Sequence, residues 1–438
     1  PHMIAATRLR DQSADWWATL AEDYEAINDF ANAAQCMARA KTLASHDWNV
    51  VYRLGMLYFQ AGEYALAETE LRQVMAQMPN SAQNLACLAD VSLAQGKHDE
   101  ALSLARRAVE LEGKVSEHWR VLARVLRTIG EYDEALEAAR FAYQLDVEHA
   151  PAAFMYGILL LDFGEIDDAV SALTAAVNAD DSQAVYHMCL GMALCKQVPL
   201  AKDFEEFTPP TPTHMVKLMA ALQSHDRALT VDGDNPRCMF ERGIVLQLML
   251  RHNDAIASFD AAAVLYGEMH PRPLSGDAHA ASTIDKNDLA AHIRQRRALS
   301  YALIGQYTEA LADQRHVLAV APLSIHDQYI YGRLCYLIND YSNAQAALAT
   351  AVTGMPGNAI YQQWFGTVLL ANGHVAEAIT ALELANDLLP GNGTINATLR
   401  DAYIADQRID RAIAAAQRAT RFDSAHAENH FILAQLYT

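Results

Sequence analysis

Three arginines stand out first. Arg120, Arg124 and Arg127 are spaced four and three residues apart, which on a helix places three guanidinium groups on one face. In a chain of formal net charge −20, a local cationic face is the natural anchor for an anionic segment. A run of apolar residues follows in Phe154, Ile158, Met188, Met192 and Phe240, the chemistry of a groove beside that anchor. Tyr52 and Arg53 before it, and Tyr329, Arg333 and Tyr336 after it, are residue types that recur at contact surfaces. The expected ligand is therefore a protein or peptide segment, acidic at one end and apolar at the other. The segment around Phe204, Glu205, Glu206 and Phe207 has that composition itself, and is expected to occupy the groove as an internal ligand.

Other chemistry is poorly served. His426 and His430 lie four apart, but the helix lacks the adjacent His-Glu of a zinc protease and has no third ligand nearby. Asp277 and His279 form a possible dyad in a loop-like stretch. No glycine-rich phosphate loop and no Gly-x-Ser-x-Gly nucleophile turn is present. We therefore expect no enzyme activity, no cofactor and no metal.

Charge and composition narrow the classes further. The chain has 53 acidic and 33 basic residues, the wrong balance for a nucleic-acid binder or for docking on an anionic membrane. Six cysteines, Cys36, Cys87, Cys189, Cys195, Cys238 and Cys335, include no C-x-x-C pair and read as small buried hydrophobes in a reducing compartment, with a cytoplasmic location expected. No apolar run reaches the roughly 18 residues of a membrane-spanning helix. No signal peptide is visible, and the opening Pro1-His2-Met3 has the look of a vector remnant and is set aside.

The elements that must position these residues are given by a repeat. Small residues recur every 34 positions as Gly55, Ala89, Ala123, Gly157 and Gly191, and again as Ala33, Ala67, Ala101, Ala135 and Ala169. Both columns then jump together by 52, from Gly191 to Gly243 and from Ala169 to Ala221, and later by 55, from Gly243 to Ala298 and from Ala255 to Ala310. The period returns through Gly332 and Gly366, and through Ala344, Ala378 and Ala412. Turns such as Ala61-Gly62-Glu63-Tyr64 and breakers such as Met78-Pro79-Asn80 punctuate the columns, so each unit is two helices packed at small residues.

The stretch from Val51 to Pro79, with Leu54-Gly55-x-x-Tyr58, Ala67, Leu71 and Pro79, resembles the tetratricopeptide repeat family. The resemblance implies an all-α fold, a right-handed superhelical solenoid of helix-turn-helix units, with the first helix of each unit on a concave, partner-binding face. Units begin near Ala14, Trp48, Ala82, Ser116, Ala150, Ala184, Pro236, Ala291, Ile325, Ala359 and Gly393, and a lone helix near Ala427. The expected organisation is a lead over 1–13, units over 14–197, a Pro-rich acidic insertion over 198–214 and repeat again over 215–269. A loop insertion follows over 270–290, then repeats over 291–426 and a terminal helix over 427–438.

Two specialisations of the family are missing. No three consecutive units supply the Lys, Asn, Asn, Lys and Arg set that grips chaperone C-termini. The column Arg53, Cys87, Val121, Met155 and Cys189 replaces the asparagine ladder of the O-linked glycosyltransferase arrays. The expected function is a non-enzymatic scaffold or adaptor in a multi-subunit assembly. The alternative is the recruiting array of a larger enzyme, such as a glycosyltransferase or phosphatase.

Overall fold

A computed structural model of the chain describes residues 13–199, 209–268, 286–320 and 324–438, and every regular element among them is a helix. The helices pair into units. The early pairs are α1 (Ala14–Ala26) with α2 (Phe30–Leu43), α3 (Trp48–Gln60) with α4 (Tyr64–Gln77), and α5 (Ala82–Ala94) with α6 (His98–Leu111). Next come α7 (Ser116–Ile129) with α8 (Tyr132–Leu145), α9 (Ala150–Phe163) with α10 (Ile166–Ala179), and α11 (Ala184–Lys196) with α12 (Pro212–Val231). Then follow α13 (Pro236–Leu248), α14 (His252–Glu268), α15 (Lys286–Leu303) with α16 (Tyr307–Val320), and α17 (Ile325–Leu337) with α18 (Tyr341–Gly354). The last are α19 (Ala359–Ala371) with α20 (Val375–Leu388), α21 (Gly393–Ala405) with α22 (Ile409–Phe422), and α23 (Ala427–Leu436). The fold is an all-α solenoid of helix-turn-helix repeats. It divides into two compact units, and the division falls inside α13, after Val245, and inside α14, before Val264.

Two helix starts differ from the sequence expectation. α12 begins at Pro212, inside the stretch expected to be loop. Thr211 caps it by accepting a hydrogen bond from the His214 amide at 3.2 Å, and proline suits a first helical position. α15 begins at Lys286 rather than near Ala291. Phe204, Glu205, Glu206, Phe207, Thr208, Asp277 and His279 lie outside the described residues.

Within a pair, the second helix sits on the small column of the first, and the two sides compensate in size. Gly55, Gly157, Gly332 and Gly366 face Leu71, Leu173, Leu348 and Leu382, sixteen residues on in each case. A Cβ added at Gly157 would come within 2.7 Å of Leu173 Cγ, and one at Gly366 within 2.5 Å of Leu382 Cγ. Where the first helix has alanine, at Ala89 and Ala123, the second also has alanine, at Ala105 and Ala139, and all four are fully buried. Close packing of this kind tolerates neither extra volume nor missing volume.

The α11–α12 pair breaks the pattern. His225 takes the place of the leucine above Gly191, and a Cβ there would meet its Nε2 at 2.6 Å. The ring is fully buried, its Nε2 has no hydrogen-bond partner, and its Nδ1 lies 3.8 Å from Cys238 Sγ. Burial holds the imidazole pKa down at about 3, with the Arg242 charge adding to the effect.

The turn inside each unit needs one left-handed residue. Gly62, Gly96, Gly130, Gly164, Gly305 and Gly373 supply it, and Asn28, Leu250, Asn339 and Gln407 fill the same place at φ of 58° to 63°. Leu250 and Gln407 adopt it without glycine's freedom, which strains those two turns.

The glycine–leucine crossing and the buried histidine each generate a stability test. Gly157→Ala overpacks its site and is expected to lose roughly 1–3 kcal/mol, while Leu173→Ala leaves a cavity and loses roughly 2–5 kcal/mol. The double variant recreates the Ala123–Ala139 pairing, so its loss in urea unfolding should be well below the sum of the two; strict additivity would refute direct packing. His225→Leu should raise the urea midpoint. Since the folded ring has the depressed pKa, the unfolded chain takes up its proton first as the pH falls below about 6.5. The native protein therefore loses stability from there down toward the folded value, and His225→Leu should lose less between neutral pH and about pH 4.5.

Candidate functional site

The first helices of the units hold most of the residues singled out by their chemistry. In the first compact unit, Tyr52 on α3 places its hydroxyl 2.9 Å from Cys87 Sγ on α5. Burial pushes both groups up, the Cys87 thiol to about 12, so both stay protonated. Arg53 is half-buried and reaches back to α1, donating to Glu22 at 2.9 Å and to Glu25 at 3.2 Å.

The three arginines of α7 do share a face, but they are not an open cationic patch. Arg120 is 5% exposed and grips Glu117 with Nε and Nη2, both at 2.7 Å. Its guanidinium also lies 3.5 Å from Asp90 on α5, and Arg124 pairs with the same carboxylate. Arg127 donates through Nε to Asp162 of α9 at 2.6 Å. Three carboxylates thus answer three guanidiniums across α5, α7 and α9. Desolvation pushes the buried Asp90 carboxyl up, against the pull of Arg124 and Arg120. The expectation of an exposed anion anchor is corrected here: these side chains clamp consecutive first helices together. The signal was legible in the repeat columns, because Asp90 stands 34 residues before Arg124 and Asp162 stands 35 after Arg127.

The apolar run is corrected in the same sense. Phe154, Ile158, Met188 and Phe240 are all buried, and Phe154 packs on Tyr186 with ring centroids 4.6 Å apart. They form core rather than an open groove; Met192 is half-buried.

In the second compact unit, an aromatic cluster spans α17 and α19. Tyr329 is 1% exposed and stacks on Tyr361 at 4.5 Å. Arg333 donates through Nη1 to the Tyr329 hydroxyl at 3.0 Å, and its guanidinium lies 4.4 Å from the centre of the Trp364 ring. Tyr336 meets Trp364 edge-on at 5.8 Å, and both rings are half-buried. Beside them, Gln295 on α15 donates to Asp327 at 2.9 Å. Trp364 and Tyr361 complete this cluster although the partner-binding reading of the sequence centred on Tyr329, Arg333 and Tyr336.

Among the described residues no group of three or more His, Cys, Asp or Glu side chains could hold a metal ion. His426 lies 3.6 Å from Asp423, while His430 makes its contact with the Ser424 carbonyl at 3.1 Å. All six cysteines are free thiols, five of them buried. No described helix is long and apolar enough to cross a membrane.

With the helix pairs and their clamps in place, the family follows. Tetratricopeptide repeat models match residues 18–82, 58–125 and 126–192. Over those residues the chain carries tetratricopeptide repeats, and the same helix pairing continues through the described residues beyond them. A search of curated proteins finds no sequence match. Among solved structures, it is similar to YrrB, described as a repeat protein with an unusual peptide-binding site, at 16% identity and a TM-score of 0.35 over 45% of this chain and 93% of that one. It is also similar to TTC0263, a thermophilic repeat protein of Thermus thermophilus, at 21% identity and TM-score 0.35 over 51% and 100%. A chain of the Cut9–Hcn1 hetero-tetramer of the APC/C aligns at 12% identity and TM-score 0.42 over 100% and 99%.

The clamp generates a test. Asp90→Ala leaves two buried guanidiniums without their shared carboxylate and is expected to lose roughly 3–5 kcal/mol, since removing one member of a buried ion pair strands the other. Arg106→Ala, in an exposed pair with Glu134, should lose less than about 1 kcal/mol. Equal thermal shifts for the two variants would refute the clamp.

Proposed function

We propose that the chain is a non-enzymatic adaptor that holds a segment of a partner protein against its first helices and supports a multi-subunit assembly. The observation that carries this reading is the Arg333, Tyr336 and Trp364 cluster. Successive first helices α17 and α19 present two half-buried rings beside a guanidinium already oriented by cation–π contact. Rigid aromatic rings lose little conformational freedom on binding and offer large contact area, so such clusters carry a disproportionate share of interface energy. The partner segment is apolar where it meets the rings, while Arg333, 5% exposed beneath them, holds Tyr329 and Trp364 in place. Tyr52 and Met192 are secondary contacts on the first compact unit, whereas Arg53 is held by Glu22 and Glu25. Its three α7 arginines contribute stiffness instead of charge selection, because their carboxylate partners lie within the fold.

The reading is tested by photo-cross-linking from position 336 in the intact chain, with a second probe at the exposed Gln73 as control. Cross-links to one partner should form from position 336 and not from 73. Trp364→Ala, with its helical circular dichroism retained, should weaken that partner's binding at least tenfold. Unchanged binding, or turnover of a substrate by the purified chain, would overturn the reading.

A further inference from the structure

A second surface lies on a different face of α7. Trp119, Leu122 and Leu126 recur at three- and four-residue steps, offset from the arginine face, and α8 lies beside them. Leu122 and Leu126 are 7% and 2% exposed and form the floor of a slot. Trp119 forms one wall, fixed by donating Nε1–H to the Gly113 carbonyl at 2.8 Å. Phe141 of α8 packs on it with ring centroids 5.3 Å apart, so the two rings make one continuous apolar wall, and Phe141 is 44% exposed.

Phe141 breaks its column. At the same place in other second helices the repeat puts Arg39, Gln73, Arg107, Thr350 and Arg418, the small Ala175, and once an exposed leucine, Leu384. A large aromatic ring left in solvent, where the fold is mostly satisfied by a polar or small residue, is unexplained by packing within the unit.

The rim supplies the sign of the partner. Asp133, Glu134 and Glu137 border the slot. Glu134 is paired only through an exposed contact with Arg106 at 3.0 Å, Glu137 only with its neighbour Arg140, and among the described residues Asp133 has no ion pair. The surrounding sequence reinforces them: residues 131 to 181 contain twelve Asp and Glu against one Arg. That field is long-ranged on the scale of a peptide and attracts cations.

We propose that the slot between α7 and α8 docks a basic partner segment, which lays one large apolar side chain against the paired Trp119 and Phe141 rings and the Leu122–Leu126 floor and sets Lys or Arg residues on either side against Asp133 and Glu137. This surface shares no residue with the α17–α19 cluster, so failure of one leaves the other untouched.

The experiment uses the full chain and three synthetic peptides, KRKLKRK, KRKSKRK and EDELEDE, titrated by fluorescence anisotropy at moderate salt. KRKLKRK should bind at least fivefold more tightly than KRKSKRK, and EDELEDE should not bind. Phe141→Arg copies the residue natural to other units and is expected to fold; it should abolish the difference between the first two peptides. Asp133→Asn should weaken KRKLKRK about threefold and flatten its salt dependence. Equal binding of the leucine and serine peptides would show only diffuse attraction and overturn the proposal. So would an unaltered preference in Phe141→Arg. A dimer of the free chain that Phe141→Arg dissociates would assign the slot to a second copy and overturn it as well. Should that variant lose helical signal, Trp119→Ser provides the same comparison.

Discussion

The whole array depends on how near two helix backbones can come inside one unit. Every other contact, including the clamps and the aromatic cluster, is built on that spacing. At six crossings it is set by two columns sixteen residues apart, glycine with leucine from Gly55, Gly157, Gly332 and Gly366 and alanine with alanine from Ala89 and Ala123. Ala21 with Met37, Gly243 with Phe259, Ala298 with Gln314 and Arg400 with Ala416 depart from this pattern. A residue without a side chain on one helix makes room for a branched one on the other, and two small residues let the helices meet more evenly, so the crossing can be filled in more than one way. His225 over Gly191 keeps the volume and gives up the apolar character, so a polar atom is stranded where a methyl group sits elsewhere.

On that frame the first helices communicate by charge. Arg53 with Glu22 and Glu25, Asp90 with Arg120 and Arg124, and Arg127 with Asp162 each join one first helix to the next. The Asp90 pairs are largely withdrawn from solvent, so salt screens them less than it screens the more exposed Arg53 pairs. The same helices would be the ligand-facing ones, and side chains spent on mutual attachment are unavailable to a partner. This separates the two compact units: the first has its inward face committed to its own cohesion, the second displays half-buried rings.

The helices were legible from the small columns because a repeat tests each position many times over. Ten of the eleven expected first-helix starts coincide with helices to within a residue. Side-chain roles were less legible, for a physical reason. Arg120, Arg124 and Arg127 were correctly placed on one face, but which carboxylates meet them depends on the lateral register of neighbouring helices. That register is visible only when Asp90 and Asp162 are read as members of the same columns. Phe154, Met188 and Phe240 have the residue types of a groove and of a core alike, and burial alone separates the two. α12 was shortened in the sequence reading because Thr211-Pro212 suggests a loop, whereas a capping threonine followed by proline also starts a helix.

The bonds that tie neighbouring first helices span only short stretches of chain, 28 residues from Arg53 to Glu25 and 35 from Arg127 to Asp162, in a chain of 438. Such an array has little need to wait for its far end. At a synthesis rate on the order of ten residues per second, the partner for each newly made unit emerges from the ribosome within a few seconds. Assembly can therefore keep pace with translation, one repeat behind the growing end, and the interval in which any unit shows a bare apolar face is set by the ribosome's speed, not by the length of the protein.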